Sequence, residues 1–385
     1  MSDAKLHRHT PRRLTVLLPV LALLALAACG LVLLAISTAR VGLAAELVGV
    51  GAALLPVGPV VAAFLWVDRW EPEPARLLWT AFAWGACGAT ITALLINNTA
   101  EAVGDLVLGE GQGDKLSAIV SAPIFEEAAK GVFLLGIYLF LRSEFDGVVD
   151  GIVYAGFTAA GFAFTENIYY FGRAFSDYGI GDSSSPGVVA AFILRGVFSP
   201  FTHPLFTVMI GIGIGLAART ASTKVRVLAP LGGYLVAVAL HAAWNASATL
   251  GSASTFFAVY FIVMVPLFGA VVWLISWHRK REQGVIAAAL PAMVESGWIL
   301  PAEVEPLADL DARRHWRRRV RKRRGRAAAA AVEEYQASVS ELAFLWHAMA
   351  VGTAGPQGPA HETKLIAVLR ESRRAAAAAS REATT

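Results

Sequence analysis

Residues that soluble domains use most are scarce in this chain. Only 16% of its 385 residues are charged, where a soluble domain carries about a quarter. Cysteine is nearly absent. Cys29 and Cys87 are the only two, both inside apolar runs, which excludes a disulfide framework and a cysteine-rich metal centre. There is no HExxH, so the helical zinc-protease signature is missing. No repeat of fixed period is visible either, which removes solenoids and arrays.

What the chain has instead is apolar length. Hydrophobic residues make up 56% of it, with a mean hydropathy of +0.57. Runs of about twenty apolar residues, enough to span a bilayer, recur along most of it. They are Leu14 to Ser37, Leu43 to Val67, Leu77 to Ala100, Ser117 to Leu141, Val148 to Tyr170, Val188 to Ala218, Val227 to Leu250 and Thr255 to Trp277. The expectation is an all-α, polytopic membrane protein of about eight transmembrane helices. The sixth run is overlong and contains Pro200 and Pro204, which predicts a kink or a preceding loop.

Loop charge gives the orientation. Arg8, Arg12 and Arg13 precede the first run, and Arg69 and Arg76 follow the second. Arg142 follows the fourth, Arg219, Lys224 and Arg226 the sixth, and His278 to Arg281 the eighth. Every second loop is basic, whereas "EAVGDLVLGEGQGD" on the other side is acidic. The positive-inside rule therefore predicts a multi-pass protein of the cell membrane with both termini cytoplasmic. "LAACG", ending at Gly30, looks like a lipoprotein signal that would lipidate Cys29, but the apolar run continues past it, so Cys29 is expected to stay within the first span.

Three regions follow: a cytoplasmic segment, 1–13; a transmembrane domain, 14–277; and a basic, Ala-rich cytoplasmic helical tail, 278–385, interrupted at "GTAGPQGPA" and expected to fray over "ESRRAAAAASREATT". The tail carries "RRHWRRRVRKRRGR". Emerging next to a membrane, such a run predicts contact with anionic lipid headgroups, with Trp316 at the headgroup boundary. Nucleic acid is the weaker partner, because no recognition motif accompanies the charges.

Charges inside a bilayer are expensive, so those present call for a reason. "SAPIFEEAAKGVFLLGIYLFL" places Glu126, Glu127 and Lys130 in the fourth span. "FAFTENIYY" places Glu166 and Asn167 in the fifth, "SPFTHPLF" His203 in the sixth, and "LHAAWNAS" His241 and Asn245 in the seventh. Helical rise puts Glu126 and His241 about 14 Å, Glu166 about 6 Å and His203 about 22 Å from their external span ends, so one outward-opening cavity could collect them. Glu126 and Lys130 share a helix face, as do His241 and Asn245. Taken singly each has a bland reading: a self-neutralised Glu–Lys pair, a histidine or asparagine joining helices, and Asp150 and Arg195 solvated near span ends. Their concentration on four consecutive helices exceeds what packing requires.

In this order, "EEAAK", "FAFTEN", the histidine of "FTHPLF" and "HAAWN" resemble the motifs of the PrsW family of intramembrane proteases. "DRWEPEPARLL" before the third span is similar to that family too, and the resemblance runs from about Phe64 to Asn245. That family is related to the CAAX-type and bacteriocin-processing membrane proteases, whose pattern is EExxxR, FxxxH and HxxxN. This chain departs from it: Lys130 stands one residue before the expected Arg, and Glu166 stands where those relatives carry His. The resemblance implies an intramembrane endopeptidase acting on a membrane-anchored protein, such as an anti-sigma-factor-like substrate. It implies Glu126 as the base, with Glu127 as a supporting acid or ligand and Glu166 in the catalytic set, and Lys130 and Asn167 in support. His203 and His241, with a carboxylate such as Glu127, would ligate a divalent metal, expected to be zinc, and Asn245 would donate to the oxyanion. A metal-free mechanism with Glu and His activating water stays open beside it.

Two other classes accommodate the same residues. A proton- or ion-coupled transporter would need paired broken helices in two halves of the chain, and no such repeat is present. A non-catalytic membrane scaffold would leave the polar clustering without a purpose.

Overall fold

The computed structural model describes residues 14–381, apart from 70–71, 146, 183–184, 353 and 355–357. The expected cytoplasmic segment, 1–13, lies outside the described residues. Those described are almost entirely helical and contain no strand, as the all-α reading requires. Among the described residues, seven helices are long and apolar enough to cross a membrane: α1 (Leu14–Val41), α2 (Leu43–Val67), α3 (Ala75–Leu108), α5 (Val148–Tyr178), α6 (Val188–Ala218), α7 (Thr223–Thr249) and α8 (Ala253–Glu295). The remaining expected span is helical as well. It is α4, residues 113–140, and it falls short on composition alone because Glu126, Glu127 and Lys130 stand within one apolar stretch.

α5 is the central strut. Nearly every residue from Val148 to Phe162 is buried, whereas α1, α2, α7 and α8 expose most of their apolar surface, as helices facing lipid do. Small residues let neighbours approach closely. A Cβ at Gly161 would stand 2.0 Å from the Phe82 carbonyl oxygen of α3, and one at Gly151 2.1 Å from the Gly211 carbonyl oxygen of α6. This contact fixes the height of α5, and with it the height of Glu166.

Several boundaries differ from expectation. α3 runs on to Leu108 and α5 to Tyr178. α6 is broken at 199–201, so His203 and Pro204 lie in the first turn of its second half. There Pro204 interrupts no established hydrogen-bond ladder, because the first N–H groups of a helix have no partner within it. π-turns interrupt α3 at Trp84–Ala89, α4 at Ser117–Ser121 and α6 at Ile193–Phe198.

The tail is more than an appendage. α8 continues without a break from the apolar region to Glu295. Its Ile286, Leu290 and Met293 then join α9 (Leu310–Ala350, kinked at Gly325) and α10 (Gly358–Arg381) around a second core that includes Tyr335, Val339, Leu342 and Leu369. Of the segment expected to fray, Glu371 to Arg381 is helical and packs through Ser372 and Ala376, and 382–385 lies outside the described residues. Trp316 stacks edge-on against Tyr335 at 6.0 Å, packed on this core; it was expected at the headgroups.

Candidate active site

Four helices converge on one polar cluster. α4 brings Glu126, Glu127 and Lys130, all buried; α5 brings Glu166 and Asn167; the second half of α6 brings His203 and Thr207; and α7 brings His241. Every titratable group expected from the sequence is therefore in one place.

Lys130 lies at its base, with no exposed surface. Its Nζ donates to Glu127 Oε1 at 2.8 Å, lies 3.6 Å from Glu126 Oε2 and 3.3 Å from His203 Nδ1, and sits 3.8 Å above the Phe162 ring. Glu127 is fully engaged. Oε1 also meets His241 Nδ1 at 3.1 Å, and Oε2 accepts from the Thr207 hydroxyl at 2.8 Å. Glu126 differs. Its Oε1 accepts from the Asn97 amide at 3.2 Å, but Oε2 is buried with no hydrogen-bond partner. His241 Nε2 faces that oxygen at 3.9 Å.

The side toward Glu166 is more open. His203 Nε2 meets Glu166 Oε2 at 2.8 Å, and the same oxygen accepts from Arg195 at 2.5 Å. Arg195 also donates to Asn167 Oδ1 at 2.8 Å and stacks 3.9 Å above the Tyr170 ring. Side-chain exposure is 27% at Arg195 and 21% at Glu166, against 7% at Glu126 and 2% at His241, so access is from the Arg195 side. With His203 Nδ1 facing the Lys130 ammonium, the proton of a neutral imidazole belongs on Nε2, which donates to Glu166.

Among the described residues, the three groups able to close on one ion are Glu126, His203 and His241, whose ligand atoms lie within 4.8 Å of one another. Glu127, expected among the ligands, instead anchors the far nitrogen of His241. A second carboxylate behind a ligating imidazole is the usual support of such a ring. Charge points the same way. Three carboxylates face two cations, Lys130 and Arg195, leaving one negative charge for a proton or a metal ion to answer. The donor set fits a divalent ion: Glu126 Oε2 has no hydrogen bond, and with the Nε2–H of His203 held by Glu166, its Nδ1, which here faces Lys130, would be the ligating atom.

Two expectations were placed differently by the structure. Asn245, expected as an oxyanion donor, gives its amide to the Ala118 carbonyl at 2.8 Å and ties α7 to the π-turn of α4. Arg195, read as a solvated residue near a span end, is instead part of the cluster, and Asn97 and Thr207 were missed as well. The signal for Arg195 was present, since an ionisable residue inside an apolar span is a functional candidate by default. Asn97 and Thr207 have no comparable local signal.

The family model described as PrsW family intramembrane metalloprotease matches residues 73–271, just over half the chain and the whole of this cluster. Protease PrsW of Oceanobacillus iheyensis is 29% identical over 168 residues, covering 43% of this chain and 67% of that protein. Protease PrsW of Bacillus subtilis is 27% identical over 220 residues, or 57% of this chain and 91% of that protein. No solved structure matches. On the family match and the residues it contains, this chain belongs to the PrsW family of intramembrane proteases.

Proposed function

We propose that the chain hydrolyses a peptide bond of a membrane-anchored protein, anti-sigma-factor-like in kind, with Glu126 accepting the proton of the attacking water. The observation that carries this reading is the Oε2 of Glu126, buried and without a hydrogen-bond partner at the meeting point of Lys130 and His241. An oxygen poised to accept a proton needs a free lone pair, and Asn97 holds its companion oxygen so that the free one points into the site. Glu127, Thr207 and Lys130 form the support: Glu127 orients His241, and Lys130 balances both carboxylates. Glu126 then returns that proton to the leaving amine, while Glu166, tied to His203 and Arg195 at the open side, holds those two side chains in place. The N–H groups of Arg195 are the exposed donors nearest that side and serve the substrate carbonyl or its flanking backbone.

Glu126, His203 and His241 are the residues that would hold a divalent ion, with Glu126 then a ligand in place of the base, and zinc suits two imidazoles and one carboxylate. Bound there, the ion would lower the pKa of the attacking water. We also assign both termini to the cytoplasm from the loop charges, which leaves the site in the outer half of the membrane and favours a bond near the substrate's outer membrane boundary.

The test is cleavage in proteoliposomes of a single-span, anti-sigma-factor-like protein. Glu126→Gln keeps the size of the side chain and loses the proton acceptor; activity is expected to fall at least about a hundredfold with yield unchanged. Near-normal turnover by this variant would overturn the assignment. His203→Ala and His241→Ala should each abolish cleavage, and metal analysis of the purified protein should find about one divalent ion per chain, lost with activity on chelation. Full activity in a metal-free preparation would leave the Glu–His mechanism alone.

A further inference from the structure

The basic run of the tail acquires a definite place in the fold. Ten of the fourteen residues from Arg313 to Arg326 are Arg or Lys, and none is acidic. In α9 this stretch begins where the tail packs against α8, the Gln283 amide donating to the Ala308 carbonyl at 3.2 Å just ahead of it. Burial and the charges of Arg314 and Arg317 lower the pKa of Arg69, the residue after the α2 cap. Arg279, where α8 leaves the apolar region, interacts with Arg69 and Arg314 in turn. Its guanidinium lies 4.0 Å over the Trp66 ring of α2, and its buried Nε has no hydrogen-bond partner.

The level of this group relative to the bilayer can be read from the aromatics. Trp66, Trp273 and Trp277 are exposed on α2 and α8, and exposed tryptophans of membrane helices collect at the headgroup boundary. Arg279 stacks on the first of them and Arg281 lies 5.7 Å over the third. The arginines therefore begin where the apolar surface ends. Carboxylates answer part of the charge: Asp311 pairs with Arg314, Glu333 with Arg317 at 3.0 Å, and Glu282 lies near Arg279. Arg318, Arg319, Arg321 and Lys322 are exposed on the same helix and extend the positive surface.

We propose that Arg69, Arg279, Arg314 and Arg317, drawn from the α2 loop, the end of α8 and the first half of α9, form a binding site for the phosphate headgroups of acidic phospholipids. The leaflet is the one at which α2 and α8 leave the membrane. Guanidinium groups bind phosphate oxygens through two parallel N–H donors, and mutual repulsion at this site is relieved when an anion enters. Lipid is the occupant because the cluster adjoins a ring of interfacial tryptophans, where lipid phosphates are already at high local concentration. Loop charge makes this the cytoplasmic leaflet, the one rich in anionic lipid. The site leaves the peptidase centre untouched and does not depend on its chemistry.

Hydrogen–deuterium exchange on the full-length protein in nanodiscs tests this. Discs of phosphatidylcholine alone are compared with discs that also contain phosphatidylglycerol. Exchange of the amides over 310–326 should slow about tenfold in the anionic discs, and about 0.5 M salt should reverse most of that protection. The R69Q/R279Q/R314Q/R317Q variant should respond equally to both lipids, while the tail core at 332–343 keeps wild-type protection in neutral discs. If that core is lost in the variant, the wild-type lipid and salt dependence decides alone. Equal exchange of the wild-type protein in both discs would overturn the proposal. So would greater protection from a short RNA added to neutral discs than from anionic lipid, or protection by free inorganic phosphate equal to that by lipid.

Discussion

Lys130→Met isolates the residue on which the whole cluster depends. Methionine preserves the unbranched stem and its contact with Phe162 while removing the ammonium. Glu127 would then lose its 2.8 Å partner and Glu126 the cation 3.6 Å away, with neither carboxylate able to reach water. Removing one partner of a buried ion pair costs about 3–5 kcal/mol, because the stranded charge keeps its desolvation penalty. For a chain of 385 residues, at about 2.1 cal/mol/K of unfolding entropy per residue, that corresponds to a fall in Tm of about 4–6 °C, measured by thermal denaturation of the purified protein in detergent. Adding Glu127→Gln should recover at least about half of the loss: the amide can still bond Thr207 and His241 but carries no stranded charge. The coupling between the two substitutions is the measured quantity. A Tm within about 2 °C of wild type for the single variant, or a double variant no more stable than the single, would show that ion pairing does not hold this core together.

Arg195→Gln removes charge-assisted hydrogen bonds to Glu166 and Asn167, each worth about 1.5–3 kcal/mol in favourable settings. Cleavage should fall about 10- to 100-fold while Tm changes little, because the arginine is partly exposed; a stability loss equal to that of Lys130→Met would make it a structural residue instead. In the loop after α2, burial pushes the Asp68 carboxyl up to about 7, opposed by its hydrogen bond from the Glu73 N–H, and burial and the charge of Asp150 push Glu73 up to about 10. Between the unfolded carboxyl range near 4 and about 7 the folded state holds more protons at Asp68 than the unfolded chain does, so stability falls as pH rises through that window. Asp68→Asn keeps an acceptor for the Glu73 N–H and should reduce the Tm difference between pH 5 and pH 8, the remaining slope belonging to Glu73; an unchanged slope would refute the assignment. In the tail, Arg313 donates to the Leu307 and Gln336 carbonyls and the Ser340 hydroxyl at 2.8–3.1 Å. Arg313→Met should therefore destabilise the tail by about 3 kcal/mol, read as faster hydrogen exchange over 332–343, whereas Arg318→Met on the exposed face should leave it unchanged.

Much of this protein is written locally. Apolar length set the spans, because each run must satisfy its backbone within itself once in lipid. The rarity of charge in those runs marked Glu126, Glu127, Lys130, Glu166, His203 and His241 before any contact was known. What the sequence does not carry is rotation about the helix axes. Glu126 and Glu127 are neighbours in the chain and equal as carboxylates; only packing turned Glu127 onto Thr207 and the far side of His241 and left Glu126 with an oxygen that no hydrogen bond occupies. The π-turns add to this, since each shifts the face that follows by about one residue, and one of them carries Arg195 into the cluster while another receives the amide of Asn245. The same limit applied to the basic run. Its charge was legible, but Arg313 is buried and Arg314 exposed because the acceptors for Arg313 lie 23 and 27 residues further along, a distance that only the folded tail closes.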